Sequence, residues 1–242
     1  MLKYRTTLLS SNQHDIFSYE VVYKETSLFI KSPKNFSSQI LRNLVAIRKP
    51  LENYIKNHPE FLTSLKPIEV EKNSPKIVSY MAETAKIVKT VGPMASVAGT
   101  IAEFLGKKML KIIENGGDIF AYIDEPITVG IYAGEGSVFT NKLGIKISVL
   151  NQPLGICTSS GNIGHSLSFG KADAVVIISN SASFSDALAT ATCNLVKTEK
   201  DVEFAIEFAK SFEQTLFVCI IKNKNIGVWT KSNSIDLVQL NC

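Results

Sequence analysis

Asp186 and Thr190 stand four residues apart in the stretch SASFSDALATATCN, residues 181–194, so on a helix their oxygens share one face. Alanines at 187, 189 and 191 leave room beside them. A hard divalent cation such as Mg²⁺ takes oxygen ligands of this kind, with one or two protein carboxylates and with water and phosphate oxygens completing the shell. The same spacing has a plainer reading. Ser183 is a good helix N-cap, and Asp186, three residues on, is placed to reach back to the Ser183 amide as the acid of a capping box. The two readings put the carboxylate in different geometries, and the sequence leaves both open.

Three further groups carry possible chemistry. Gly116 and Gly117 in NGGDIFAY let a ring or a phosphate approach the backbone, because no Cβ stands in the way; they serve equally to end a helix, with Asp118 a solvated acid at the start of a strand. CTSSGNIGHSLSFG, residues 157–170, is dense in small polar residues that can offer hydroxyls and amides to phosphate oxygens, although Thr158 and Ser159 also suit a turn. His165 within it is a candidate general base or phosphate contact, and also an ordinary hydrogen-bonded histidine. No GxSxG, GxxxxGK[ST] or HExxH is present, which argues against serine hydrolases, P-loop enzymes and zincins.

The elements that must position these groups follow from periodicity. Short alternating runs at 17–24 and 26–31 predict a hairpin or one bent strand. Apolar residues at helical spacing predict a helix or a broken pair over 37–57 and helices over 75–91 and 96–114, with a loop and a short strand at 68–70 between the first two. Gly92, Pro93 and Gly99 interrupt good helix-forming sequence, so the backbone bends there and leaves amides free at the start of the third helix; this suits a pocket wall or a plain helix–helix joint. Strands follow the glycine pair and recur at 144–150, 155–158 and 172–179. The stretch quoted above opens a helix, TEKDVEFAIEFAKSF forms another capped by Thr198, and strands at 215–221, 226–230 and 235–240 close the chain. The pattern is α+β in one unit over 1–242, without a repeat or a linker that marks an internal boundary.

With 242 residues and 45% apolar content the chain can bury a core. Its net charge of +4, from 26 basic and 22 acidic side chains interspersed, gives no stripe for nucleic acid. Cys157, Cys193, Cys219 and Cys242 lie far apart with no CxxC, which argues against a zinc knuckle and a redox motif and for a reducing compartment. No apolar run approaches the ~18 residues that span a bilayer, so the expectation is a cytoplasmic protein with no membrane partner.

In order along the chain, GTIAEF at 99–104, NGGDI at 115–119, TSSG at 158–161 and SDALATA at 185–191 resemble the GxIAKGY, NxGGDI, TSG and aDALATA motifs of the ApbE flavin transferases, once described as thiamine-biosynthesis lipoproteins. The resemblance covers about residues 92–196, and DALATA with NGGDI upstream is its most specific part. It looks closest to a short branch carrying GPMASVAG. It implies a T-fold-like α+β architecture, with mostly antiparallel or mixed sheets packed with helices. It also implies that Asp186 and Thr190 ligate Mg²⁺, and that Gly99, Thr100, Gly116, Gly117, Asp118, Thr158, Ser159, Ser160 and Gly161 contact FAD or FMN. His165 matches the histidine of the family's HIIDPxTG and is the implied catalytic residue, while Glu103 aligns with the family lysine. In the family FAD is split with Mg²⁺ and its FMN half is passed to a threonine of a target protein. Two other readings stand beside transfer. One is a non-catalytic nucleotide- or ligand-binding module. The other is an oligomeric structural protein, a homo-oligomer paired through apolar strand edges such as 215–221.

Overall fold

The computed structural model describes residues 8–9, 17–150, 152–161 and 170–240. After β1 (Leu8–Leu9), the alternating runs form an antiparallel hairpin, β2 (Phe17–Tyr23) and β3 (Thr26–Ser32). Helices α1 (Ser37–Asn57), α2 (Glu60–Thr63) and α3 (Lys76–Val88) follow; a 3₁₀ turn (Pro93–Ser96) then leads into α4 (Val97–Met109). Strands β4 (Ile112–Asn115), β5 (Asp118–Tyr122), β6 (Ile127–Gly130), β7 (Leu143–Ile147), β8 (Pro153–Ser159) and β9 (Ala174–Ser179) precede α5 (Ala182–Leu195). A capping box of Thr198 and Asp201 starts the turn into α6 (Val202–Lys210), and β10 (Thr215–Lys222), β11 (Asn225–Thr230) and β12 (Ile235–Gln239) complete the chain.

Eight strands form one antiparallel sheet in the order β11-β10-β9-β8-β5-β4-β3-β2, and four form a second in the order β1-β6-β7-β12. Period-two alternation decides which layer each side chain joins. In β9, Ala174, Val176 and Ile178 face the smaller sheet, whereas Val175 and Ile177 face the helices; β10 repeats this with Phe217, Cys219 and Ile221 against Val218 and Ile220. The larger sheet is therefore buried on both faces through its centre, sandwiched between the smaller sheet and a helical layer. Its first strands pack against α1, α3 and α4 through Leu28, Ile30, Leu44, Met81 and Leu105.

Several elements depart from the sequence reading. Residues 68–70 are irregular rather than a strand, with Ile68 and Val70 resting on the core as single side chains, and the short helix α2 precedes them. The third helix stops at Met109, because the β-branched pair Ile112 and Ile113 is drawn into the sheet between β3 and β5. Strand β10 is not an edge: it is hydrogen-bonded to β9 on one side and β11 on the other, so the pairing between subunits expected through 215–221 has no free backbone to use. No described helix is long and apolar enough to cross a membrane.

Candidate functional site

The glycine pair is the two-residue turn of the β4–β5 hairpin, not a helix stop. Asn115 and Asp118 pair across it, and Gly116 and Gly117 take φ of 65° and 107°, the positive values that this tight turn requires. A Cβ built on either glycine meets nothing within 4 Å, so the turn borders open space. Asn115 Nδ2 donates to the Ala98 carbonyl at 3.1 Å and ties the turn to the start of α4.

Asp118 opens β5 on the helix-facing side. The β5–β8 register pairs Ile119 with Ile156, and one step further along it sets Asp118 beside Cys157. The Asp118 carboxylate accepts the Thr158 amide at 3.2 Å. Cys157 itself is fully buried, and its thiol donates to the Ala182 carbonyl of α5 at 3.3 Å.

Ala182 is a junction of three elements. A Cβ on Gly99 of α4 would stand 2.2 Å from the Ala182 oxygen, and one on Gly155 of β8 would stand 2.3 Å from its Cα. Only glycine allows these approaches, and they bring the start of α5 onto both the sheet and α4.

Asp186, one turn into α5, answers the question that its spacing raised. Its Oδ2 accepts the Gly99 amide at 2.9 Å, so the carboxylate caps a different helix. The capping box within α5 does not form: Ser181 is the N-cap and accepts the Phe184 amide, and the Ser183 amide is taken by Glu103. The three serines of SASFS are equivalent as local signals, and the close approach at Ala182 selects the first of them.

Burial drives the Asp118 pKa from 3.8 up to about 7, against the Thr158 amide and the Cys157 thiol, which pull it down. Burial and repulsion from Asp118 push Asp186 well above the carboxylate range, although the Gly99 and Ala98 amides oppose this. Burial and both acids push the Cys157 thiol up as well. Among the described residues neither acid has a lysine or arginine partner, and Thr190 is buried on the face of α5 that Asp186 occupies. Two acids within electrostatic reach and without a countercharge hold protons in its place, and a cation would compete with those protons for the same carboxylates. Among the described residues no three of His, Cys, Asp and Glu cluster as metal ligands. The candidate donors are the two carboxylates and the Thr190 hydroxyl, oxygens that suit a hard cation keeping several waters and do not suit zinc.

The remaining expected residues are placed as follows. Thr100 is fully buried, and its hydroxyl donates to Ser183 Oγ at 2.7 Å in the α4–α5 interface. Ser159 is buried and paired to Val175. The Gly161 amide donates to the Ala172 carbonyl at 2.9 Å and Ser160 Oγ lies 3.5 Å from the same oxygen, so both sit beyond β8 where the chain returns toward β9. His165 lies outside the described residues. A groove of about 460 Å³ lined by Leu110, Tyr122 and Val149 is at the opposite end of β5 and contains none of these groups. Cys157 was missed as a member of this region, although alternation along β8 could have placed it on the helical side. Glu103 was marked out by its alignment with the family lysine, but nothing local showed that it accepts the amides at the start of α5.

The sequence model of the family described as AbpE bacteria matches residues 7–214. The chain belongs to that family. An UPF0280 protein of Methanocaldococcus jannaschii is 36% identical over 221 residues, covering 88% of this chain and 90% of its own; an UPF0280 protein of Methanococcus aeolicus is 39% identical, with 84% and 86% covered. The fold is that of solved ApbE proteins. The apo flavinyl transferase ApbE of Pseudomonas stutzeri superposes with a TM-score of 0.58 at 12% identity over 89% of this chain and 94% of its own. The flavin transferase ApbE of Vibrio cholerae gives 0.57 at 10% identity over 90% and 97%. This AbpE bacteria chain therefore carries the α+β architecture of those enzymes, with antiparallel sheets against helices, at a sequence distance where only the fold is shared.

Proposed function

We propose that this protein binds a flavin nucleotide, FAD or FMN, together with a divalent cation at the junction of α4, α5 and the β4–β5 turn. The observation that carries the reading is the uncompensated pair Asp118 and Asp186, drawn from different elements to the start of one helix. Asp186 and Thr190 lie on one face of α5 and hold the cation, with Asp118 in electrostatic support. A bound cation supplies the positive charge that neutralises a diphosphate. Gly116 and Gly117 leave the adjoining space free of side chains, and the Thr158 amide anchors Asp118. The family of this chain and the flavin transferase names of its structural neighbours support the choice of a flavin as ligand.

Transfer of FMN or cleavage of the FAD pyrophosphate is the fuller form of this reading, with His165 as its candidate catalytic residue. Binding without reaction is the second form, and Glu103 favours it: the residue that aligns with the family lysine is buried in a helix cap and offers no cation to a phosphate. Equilibrium dialysis with FAD in Mg²⁺ and in chelator tests the binding, which should be strong only with the cation; equal binding in both would remove the reading. Release of AMP from FAD then separates reaction from binding alone.

A further inference from the structure

Asp186 is held in place from below. Ser183, Asp186 and Thr190 recur at i, i+3 and i+7 and form one stripe of α5. At the first of them, Glu103 of α4 gathers the start of α5: its Oε2 accepts Ser181 Oγ at 2.7 Å and the Ser183 amide at 3.1 Å, and its Oε1 accepts the Tyr80 hydroxyl of α3 at 2.7 Å. Thr84 and Thr100 meet the Ser183 hydroxyl at 2.9 and 2.7 Å. One turn along the stripe, Asp186 returns the contact by accepting the Gly99 amide of α4. Each helix thus supplies an acid to the first turn of the other, and the rotation of α5 about its axis is fixed at both contacts.

We infer that Glu103 is a positioning residue for the cation site: by clamping the first turn of α5 it sets the direction in which Asp186 and Thr190 point. The inference rests on the cation reading above. It separates two roles that a buried acid near such a site could play. A residue acting through its charge on the cation needs the charge, whereas a clamp needs only an acceptor of the right reach. Glutamine retains the side-chain length, an oxygen to accept the Ser183 amide and an amide group to meet the Tyr80 oxygen. Alanine retains none of these.

The test is Mn²⁺ binding by electron paramagnetic resonance to the full chain, on wild type, Glu103→Gln, Glu103→Ala and a control, Ile145→Val, which loosens the core between the sheets far from α5. Wild type and Glu103→Gln should bind alike, within about threefold, Ile145→Val should match them, and Glu103→Ala should lose about tenfold or more. If Glu103→Ala does not fold, Glu103→Asp replaces it, since a side chain one carbon shorter cannot reach both α5 and Tyr80, and the same loss is expected. An equal loss in Glu103→Gln assigns the effect to charge and overturns the clamp. Wild-type affinity in the folded alanine or aspartate variant, or the same loss in Ile145→Val, also overturns it. Wild type that takes up no Mn²⁺ overturns the cation reading itself, a result distinct from these.

Discussion

The Gly99 amide of α4 donates to the Asp186 carboxylate of α5 at 2.9 Å, across 87 residues of chain. This bond makes Asp186 a helix cap and a candidate ligand at once. One carboxylate can do both, because its two oxygens offer about four acceptor sites and the cap occupies few of them.

Asp186→Asn separates the two roles. The asparagine oxygen still accepts the Gly99 amide, so the variant should fold with unfolding free energy within about 1 kcal/mol of wild type, while Asp186→Ala should lose about 0.5–2 kcal/mol with the cap. Both should lower Mg²⁺-dependent FAD affinity by about tenfold or more through the lost ligand charge. Urea unfolding and titration calorimetry with and without chelator read the two effects separately.

The acid pair predicts the sign of the pH dependence. Asp118 has its folded pKa raised from 3.8 to about 7, and Asp186 is raised too, so the folded state binds more protons than the unfolded state within that window. Stability in chelator should therefore fall as pH rises from about 4 through 7. Added Mg²⁺ should offset the fall, with a stabilisation that grows over the same range. Thermal unfolding at pH 5 and pH 8 in chelator and in Mg²⁺ checks this, and Asp186→Asn should flatten the profile by removing one of the two raised acids.

Cys157, Cys193 and Cys219 are buried free thiols. Burial pushes the Cys219 pKa up to about 12, and burial with two neighbouring acids raises Cys157 well above the usual thiol range. Native protein should leave all three unmodified by a thiol reagent at pH 8, and denaturation should expose them together. Mass spectrometry of the labelled peptides reads the result; fast native labelling of Cys157 would contradict the buried acid pair.

Two glycines should respond differently to alanine. At Gly99 the new Cβ would stand 2.2 Å from the Ala182 oxygen and 2.8 Å from the Asp186 Cβ, so α4 and α5 must separate. Gly99→Ala should cost about 1–3 kcal/mol and weaken Mg²⁺-dependent FAD binding together. At Gly116 the Cβ meets open space, so only the positive φ of 65° matters and the cost should be about 1–2 kcal/mol with the acid pair undisturbed. Chemical denaturation with parallel dialysis distinguishes them.

Much of the scaffold was legible because it is written in local periodicity. The alternation of 17–24 and 26–31, the helical spacing within 37–57, the Thr198 cap and the strands of the last thirty residues each follow from neighbours a few positions apart. Helix α4 was read five residues too long because Ile112 and Ile113 continue an apolar pattern, and only their pairing with β3 and β5 shows them to be strand.

The sequence by itself determined the α+β class, the glycine pair at 116 and 117 as a place without side chains, and the shared helical face of Asp186 and Thr190. Tertiary structure alone decided what those groups meet. It gave Asp186 the amide of Gly99, set Glu103 into the first turn of α5, and brought the Cys157 thiol between two acids. The reason is physical: periodicity fixes which side of an element a residue occupies, whereas the partner on that side depends on how closely two elements approach. Here that approach is set by Gly99 and Gly155 closing on Ala182, 83 and 27 residues away in the chain.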